Sequence, residues 1–445
     1  MAQASAAARG VDAGRRRPFH VMAKPTGPAC NLACDYCFYL DTSRLFPDPH
    51  TRMSEDVLSR YLEQLFAGQP DGEVVVAWQG GEPTLRGIDF YRKAVELERR
   101  FARPGQTVLN TLQTNGVLLD RPWVTFLRRQ GFLVGLSIDG PAEVHDAYRR
   151  NHAGRPSFAA VRRAVDLLTG AGVPWNALTT VHAANQDRGR EVYCFLRDEC
   201  GARFMQFIPV VTPLQDVGGS WEPGEWAVRP GAYGRFLVDV FEDWVRRDVG
   251  SVFVQMFDTT LGNTLGEPGG LCVHQPACGD AVVLEHDGSV YACDHFVDAR
   301  HRLGSIMDRT LLEMVESPAQ LAFKRAKGAS LPQVCRHCPV RRLCHGGCPK
   351  DRFVRAADDG APGNYLCPDY RLFFQHVATP MAVMCQALRR GASPDHVMEV
   401  YARADERRRP EDRCTCGRDR AWSDCHGRAP SAAHRAEPTA GGTPD

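Results

Sequence analysis

Seventeen cysteines, most of them gathered into three tight sets, constrain this chain more than any other feature of its 445 residues. Cys30, Cys34 and Cys37 make the first set. Cys272, Cys278, Cys293, Cys335, Cys338, Cys344, Cys348 and Cys367 make the second, and Cys414, Cys416 and Cys425, followed at once by His426, the third. Cys194, Cys200 and Cys385 stand apart in helix-like or mixed surroundings, where a thiol reads as a small buried apolar residue. Clustered cysteines imply either disulfides or metal, and the choice turns on compartment. The leader over 1–17, MAQASAAARGVDAGRRR, lacks the continuous apolar segment of a signal peptide and reads as disordered. A cytoplasmic location is the default that follows, and in that reducing setting such sets hold metal or do chemistry.

Composition narrows the partners. A formal net charge of +1 leaves no basic footprint for nucleic acid and none for an anionic membrane surface. No apolar run reaches the length of a membrane span, so neither partner is expected. The chain exceeds the size that one core usually serves, which favours one large domain with smaller appendages.

The first set reads CNLACDYCFY, a C-x3-C-x2-C spacing. Three thiolates on one loop can hold three corners of a 4Fe-4S cube and leave the fourth iron open to a non-protein ligand. A zinc knuckle competes, although zinc wants four ligands and only the distant His20 or His50 could complete the site. Further on, EVVVAWQGGEPTL reads as a strand ending in Gly80-Gly81-Glu82-Pro83, where glycines allow close backbone approach and Glu82 adds a charged acceptor suited to an amino group. More strands are expected over Thr107–Gln113, Leu133–Ile138, Trp175–His182 and Phe204–Val210, with helix-like intervals between them. That alternation predicts an α/β fold, a parallel sheet or partial barrel with its ligand groups at the strands' C-terminal ends.

The strings CNLACDYCFYL, WQGGEPTL, LQTNGVLL, GLSIDGP, VHDAYR and MQFIPV resemble the radical S-adenosylmethionine (SAM) core of the anaerobic sulfatase-maturating enzymes, over about Val21 to His376. The resemblance implies a partial (β/α)6 TIM barrel, with SAM bound at the open iron through its amino and carboxylate groups. By the same resemblance Gly80, Gly81 and Glu82 lie near the amino group, and Ser137 and Arg149 near the sugar and carboxylate.

The second set runs C-x5-C-x14-C, then C-x2-C-x5-C-x3-C-x18-C, and fills two four-ligand sites with none left over. It resembles the SPASM extension, whose interleaved pattern implies Cys272, Cys278, Cys293 and Cys348 on one auxiliary 4Fe-4S cluster and Cys335, Cys338, Cys344 and Cys367 on another. Spacing alone leaves two zinc sites open. Within this region GSVYACDHFV sets Asp294 beside Cys293. An arbitrary turn aspartate would merely cap, but this string resembles the maturases, in which the aspartate is the base.

Oxidising a side-chain alcohol or thiol to the carbonyl level removes a hydrogen atom, a proton and an electron. The resemblance implies a SAM-derived 5′-deoxyadenosyl radical for the first, Asp294 for the second and an auxiliary cluster for the third. The implied substrate is a Cys or Ser in a Cys/Ser-x-Pro-x-Arg segment of an unfolded sulfatase polypeptide, oxidised to Cα-formylglycine. Tyr39 and Gln79 are expected to line the reacting position, though core packing and a strand-end hydrogen bond explain them equally well. A low-potential donor such as flavodoxin or ferredoxin is the implied electron source. Modification of a ribosomal peptide, dehydrogenation of a small alcohol and a non-enzymatic metal scaffold are the competing readings.

The third set, C-x-C-x8-C-H, resembles the short SEC-C type zinc motif, with Cys414, Cys416, Cys425 and His426 as ligands to one Zn2+. About twenty residues cannot bury a core, so metal is the expected stabiliser and disorder the alternative. The expected order is then a leader over 1–17, radical SAM core over 18–250, SPASM domain over 251–380, helical linker over 381–407, zinc motif over 408–428 and a disordered tail over 429–445.

Overall fold

Six strands share a period-two burial pattern along most of their length, in which buried residues alternate with half-covered or exposed ones. They are β1 (His20–Ala23), β2 (Gly72–Trp78), β3 (Gln106–Thr114), β4 (Leu133–Ser137), β5 (Trp175–Val181) and β6 (Phe204–Pro209), and they pair in parallel in chain order. Period-two alternation sends Val74, Val76 and Trp78, Leu112, Val134 and Leu136 to one face of the sheet, where helices cover them. The other face carries the half-buried Gln79, Gln113 and Ser137. The computed structural model describes residues 17–427 apart from 47, 49–51, 212, 218–219, 268 and 357–359. The expected tail over 429–445, His50 and all of the expected leader but Arg17 lie outside these residues.

Right-handed crossover units require a helix between parallel strands. α1 (Tyr39–Thr42) and α2 (Glu55–Gly68) join β1 to β2, α3 (Ile88–Phe101) joins β2 to β3, and α4 (Arg121–Gln130) joins β3 to β4. α5 (Ala142–Tyr148) and α6 (Phe158–Ala171) follow β4, and α7 (Gly189–Cys194) follows β5. Local signals set the boundaries. Ser54 caps α2 by accepting from Val57 N–H, and Asp120 caps α4 by accepting from Trp123 N–H. This is the partial (β/α)6 arrangement that the family resemblance implies.

The same sheet continues at both edges. A hairpin of β7 (Pro213–Val217) and β8 (Ser220–Pro223) and helix α8 (Ala232–Arg247) lead to β9 (Phe253–Val254), which pairs with β6. After α9 (Gln255–Leu265), β10 (Ala281–Leu284) lies parallel to β1, with β11 (Ser289–Tyr291) and β12 (Arg302–Ser305) added antiparallel. Strand pairing therefore crosses position 250. Short helices α10 (Leu311–Val315), α11 (Pro318–Ala329), α12 (Gln333–Arg336) and α13 (Arg341–Cys344) and a ribbon of β13 (Arg352–Arg355) and β14 (Pro362–Asn364) carry the chain to α14 (Cys367–Arg389) and α15 (His396–Asp405). α14 runs unbroken through 381. One apolar core spans the helix-covered face, from Phe19 and Val21 to Phe373 and Met384.

Candidate active site

The C-terminal ends of the strands meet at the cysteine loop. Lys24 follows β1, Gly80 to Glu82 follow β2, Asn115 follows β3, Asp139 follows β4 and His182 follows β5. Cys34 is buried, and Cys30 and Cys37 are half-buried. Cys30 Sγ receives Leu32 N–H at 3.4 Å and Asn115 Nδ2 at 3.6 Å. Burial pushes the Cys30 thiol up to about 12, helped by the Glu82 charge, and burial pushes Cys34 to about 11. Such thiols keep their protons until a metal centre displaces them, which couples ligation to cluster assembly.

The double glycine lies directly against this loop. Gly81 N–H donates to Gly27 O and Glu82 N–H to Ala29 O, both at 2.8 Å, and a Cβ on Gly81 would stand 2.1 Å from Ala29 O. Glu82 is fully buried. Its carboxylate accepts from Thr84 N–H (2.9 Å), Thr84 Oγ1 (2.6 Å), Thr114 Oγ1 (2.7 Å) and Asn115 N–H (2.7 Å). The side chain therefore ties the ends of β2 and β3 together, and the nearby glycine backbone is what lies against the cysteine loop. Arg149 is likewise engaged. Its Nε and Nη2 donate to Asp139 at 2.7 and 3.2 Å, and its guanidinium stands 5.5 Å from the Tyr36 ring centroid. Tyr36 donates to the same carboxylate at 2.5 Å. Burial opposes ionisation of Asp139, yet Arg149 and His182 hold it well below the ordinary carboxylate range. Ser137 Oγ accepts from Gln113 Nε2 at 3.1 Å, and Gln79 N–H donates to Ala23 O.

Asp294 reaches this place from the other end of the chain. Tyr39 Oη donates to its Oδ2 at 2.9 Å, and Lys24 Nζ stands 2.6 Å from its Oδ1. Lys24 is fully buried, shares its ammonium with Glu285 at 2.9 Å and lies 4.6 Å from the Tyr39 ring centroid. Burial alone would lower the Lys24 ammonium, but Asp294 and Glu285 raise it above its ordinary value.

The second cysteine set separates into two groups. Cys293 feels the charges of Cys348 and Cys272, and Cys278 that of Cys272, while Lys327 donates to the carbonyls of Cys272 and Val273 beside them. Burial pushes Cys293 and Cys348 to about 12. Cys335, Cys338, Cys344 and Cys367 line a separate concavity with Val340 and Asn364. Among the described residues only Cys414, Cys416, Cys425 and His426 bring three or more such ligand atoms within 4.8 Å of one another. The wider spread of the other sets suits a cluster of several atoms rather than one ion.

Two family models match, the radical SAM superfamily over residues 25–193 and the SPASM iron-sulfur cluster-binding domain over 272–339. A serine-type anaerobic sulfatase-maturating enzyme of Bacteroides thetaiotaomicron is 41% identical over 397 residues, 86% of this chain and 95% of its own length. The chain belongs to the anaerobic sulfatase-maturating enzyme family. A cysteine-type member from Clostridium perfringens is 33% identical over 363 residues, 81% of this chain and 96% of its own. The solved structure of native anSMEcpe with bound AdoMet and Kp18Cys peptide superposes with a TM-score of 0.76 at 32% identity, over 83% of this chain and 99% of that one. This maturase-family chain is thus a radical SAM enzyme with a SPASM region, as the strings and the second cysteine set imply. The sequence reading passed over Lys24, Glu285, Tyr36, His182 and the carboxylate of Asp139. Asp139 sits inside the quoted GLSIDGP and Lys24 directly after a strand, so position at a strand's C-terminal end was the available signal.

Proposed function

We propose that this maturase oxidises a Cys or Ser in a Cys/Ser-x-Pro-x-Arg segment of a sulfatase to Cα-formylglycine, with Asp294 as the base. The observation that carries this reading is the convergence on Asp294 of Lys24 and Tyr39 from the first loop, while its chain neighbour Cys293 belongs to the second set. The base then lies between the two sets of cysteines. Bound there, SAM and three 4Fe-4S clusters would supply the one-electron chemistry that removes a hydrogen atom from the substrate Cβ and carries an electron away.

The chain's own residues do the rest. Lys24 orients Asp294 at 2.6 Å, so the carboxylate can accept the hydroxyl or thiol proton. Tyr39 fixes the second oxygen, and Gln79, directly after β2, lines the approach. Gly80 and Gly81 would let the backbone meet the SAM amino group, with Glu82 holding that backbone through Thr84, Thr114 and Asn115. Ser137 and Arg149 would meet the sugar and carboxylate of SAM. Cys30, Cys34 and Cys37 hold the SAM cluster, and the two groups of four hold the auxiliary clusters. Electrons come from a low-potential donor such as flavodoxin or ferredoxin. Among the described residues no helix is long and apolar enough to cross a membrane.

The test is Asp294→Asn in anaerobically reconstituted protein. Iron content and 5′-deoxyadenosine formation should persist, while formylglycine on a sulfatase-motif peptide, read by mass spectrometry against a scrambled control, should fall about 10²- to 10⁴-fold. Wild-type turnover in this variant would remove Asp294 from the chemistry. SAM cleavage by the wild type with no change in either the Cys or the Ser peptide would point instead to another peptide substrate.

A further inference from the structure

The proposed reaction makes no use of the last cysteine set. Its ligand atoms are nonetheless the most tightly gathered among the described residues. Cys416 Sγ lies 3.6 Å from Cys425 Sγ, and His426 Nδ1 lies 3.1 Å from Cys414 Sγ and 3.3 Å from Cys425 Sγ. Zinc bonds of about 2.3 Å to sulfur and 2.0–2.1 Å to nitrogen, set tetrahedrally, place ligand atoms about 3.5–3.8 Å apart. Three of the four side chains are buried. His426 turns its remote Nε2 to the carbonyl of Asp239 at 3.2 Å, an outer bond that leaves Nδ1 for the metal.

The surroundings show where this knot belongs. It is seated on one face of α8. Arg418 pairs with the Asp239 carboxylate, and Thr415 Oγ1 meets the carboxylate of Glu242. Arg246 donates to Thr415 Oγ1 at 3.1 Å and to Asp405 of α15 at 2.7 Å, with its guanidinium 4.8 Å from the ring centroids of both Trp422 and Tyr401. Asp239, Glu242 and Arg246 recur at helical spacing, so a single stripe of α8 receives the knot. From α7, Arg190 donates to the carbonyl of Cys425 at 2.5 Å. The opposite stripe of α8, with Phe236, Val240 and Phe241, enters the core against α14. The first turn of α14 in turn caps α8, since Asp369 accepts from Gly231 N–H (3.0 Å) and Gly234 N–H (2.8 Å).

We propose that residues 410–427, bound to one zinc ion, are an intramolecular clasp whose docking partner is α8 of the same chain. Eighteen or so residues cannot hold this shape by apolar burial alone, whereas a Cys3His zinc site supplies folding free energy directly. The clasp fixes α8 from outside and α14 fixes it from inside, so the metal steadies the helix pair that carries Cys367 at its far end. This inference stands on the tail's geometry and does not depend on the maturation reaction.

The full-length, reconstituted protein should hold one zinc per chain in addition to its iron, measured by elemental analysis. Cys416→Ser, at the most exposed ligand, should lose the zinc, keep the iron and raise amide exchange in 232–247 about ten-fold or more, with β2 to β4 unchanged. Arg418→Ala keeps every ligand and removes the pair with the Asp239 carboxylate and the bond to the Asp187 carbonyl. It should retain zinc and still speed exchange in 408–427 and in α8. A wild type without zinc, a Cys416→Ser protein with its zinc intact, or zinc loss that leaves α8 exchange at the wild-type rate would each overturn the clasp.

Discussion

Replacing Lys24 by methionine keeps the length and apolar stem of the side chain and removes its charge. In the wild type that charge faces Glu285 at 2.9 Å and Asp294 at 2.6 Å, with Lys24 and Glu285 both wholly buried. Removing one partner of a buried pair costs about 3–5 kcal/mol, because the carboxylate left behind must stay ionised without a counter-charge or take up a proton. In a chain of this size that is a fall of roughly 3–6 °C in Tm. Converting Glu285 to glutamine in the same protein removes the stranded charge, so Lys24→Met/Glu285→Gln should regain at least half of the loss. Activity should separate from stability. Asp294 lacks its ammonium in both proteins, so formylglycine should stay about 100-fold down even where Tm recovers, with SAM cleavage close to wild type. Anaerobic thermal unfolding at matched iron content, alongside peptide mass spectrometry, reads both. A Lys24→Met protein with wild-type Tm and yield would refute the reasoning, as would a double variant no more stable than the single.

Gly81→Ala puts a methyl group 2.1 Å from the backbone oxygen of Ala29, which no rotamer can relieve. It should abolish 5′-deoxyadenosine formation and shed the iron of the first cluster while keeping that of the auxiliary clusters; a variant that still cleaves SAM would show that the loop can open. Glu98 accepts from Asn110 Nδ2 at 2.8 Å, and burial pushes it up to about 7 from an ordinary 4.5. Because the folded form binds the proton more tightly, this group's contribution is full below pH 4.5 and is lost as pH rises through 7, an effect of up to about 3 kcal/mol. Glu98→Gln should flatten the fall in denaturant midpoint between pH 5 and 8, and an unchanged slope would exclude Glu98 as its source.

Strands β2 to β6 and the three cysteine sets were readable because both are written in local spacing, whereas the division of the second set into two groups of four came from the resemblance. The β-branched run in EVVVAWQGG and the turn after it define β2 without reference to anything distant. Lys24 was not readable, since a lysine following a strand looks like surface and its two carboxylates lie more than 250 residues away along the chain. Glu82 was legible as a charged group in the right place, but its role depends on Thr114 and Asn115, which only the packing of β3 beside β2 supplies. The tail presents the same division. Its ligands follow from C-x-C-x8-C-H, whereas its seat requires a helical stripe of Asp239, Glu242 and Arg246 that reads, in sequence, as an ordinary charged face.

The parallel pairing of β1 with β10 has a mechanical consequence. Ala23 and Leu284 are neighbours in the sheet, and the residues just beyond them are Lys24 and Glu285. The strand that leads to the SAM-cluster loop and the hairpin that leads to Asp294 and Cys293 thus hang from adjacent rungs of one ladder. Their separation is fixed by interstrand hydrogen bonds, a spacing that thermal motion barely changes, and not by two bodies settling against each other. Anyone transplanting this chemistry to another barrel would have to move both strands together, because the register between them is the ruler that sets where Lys24 stands against Glu285 and Asp294.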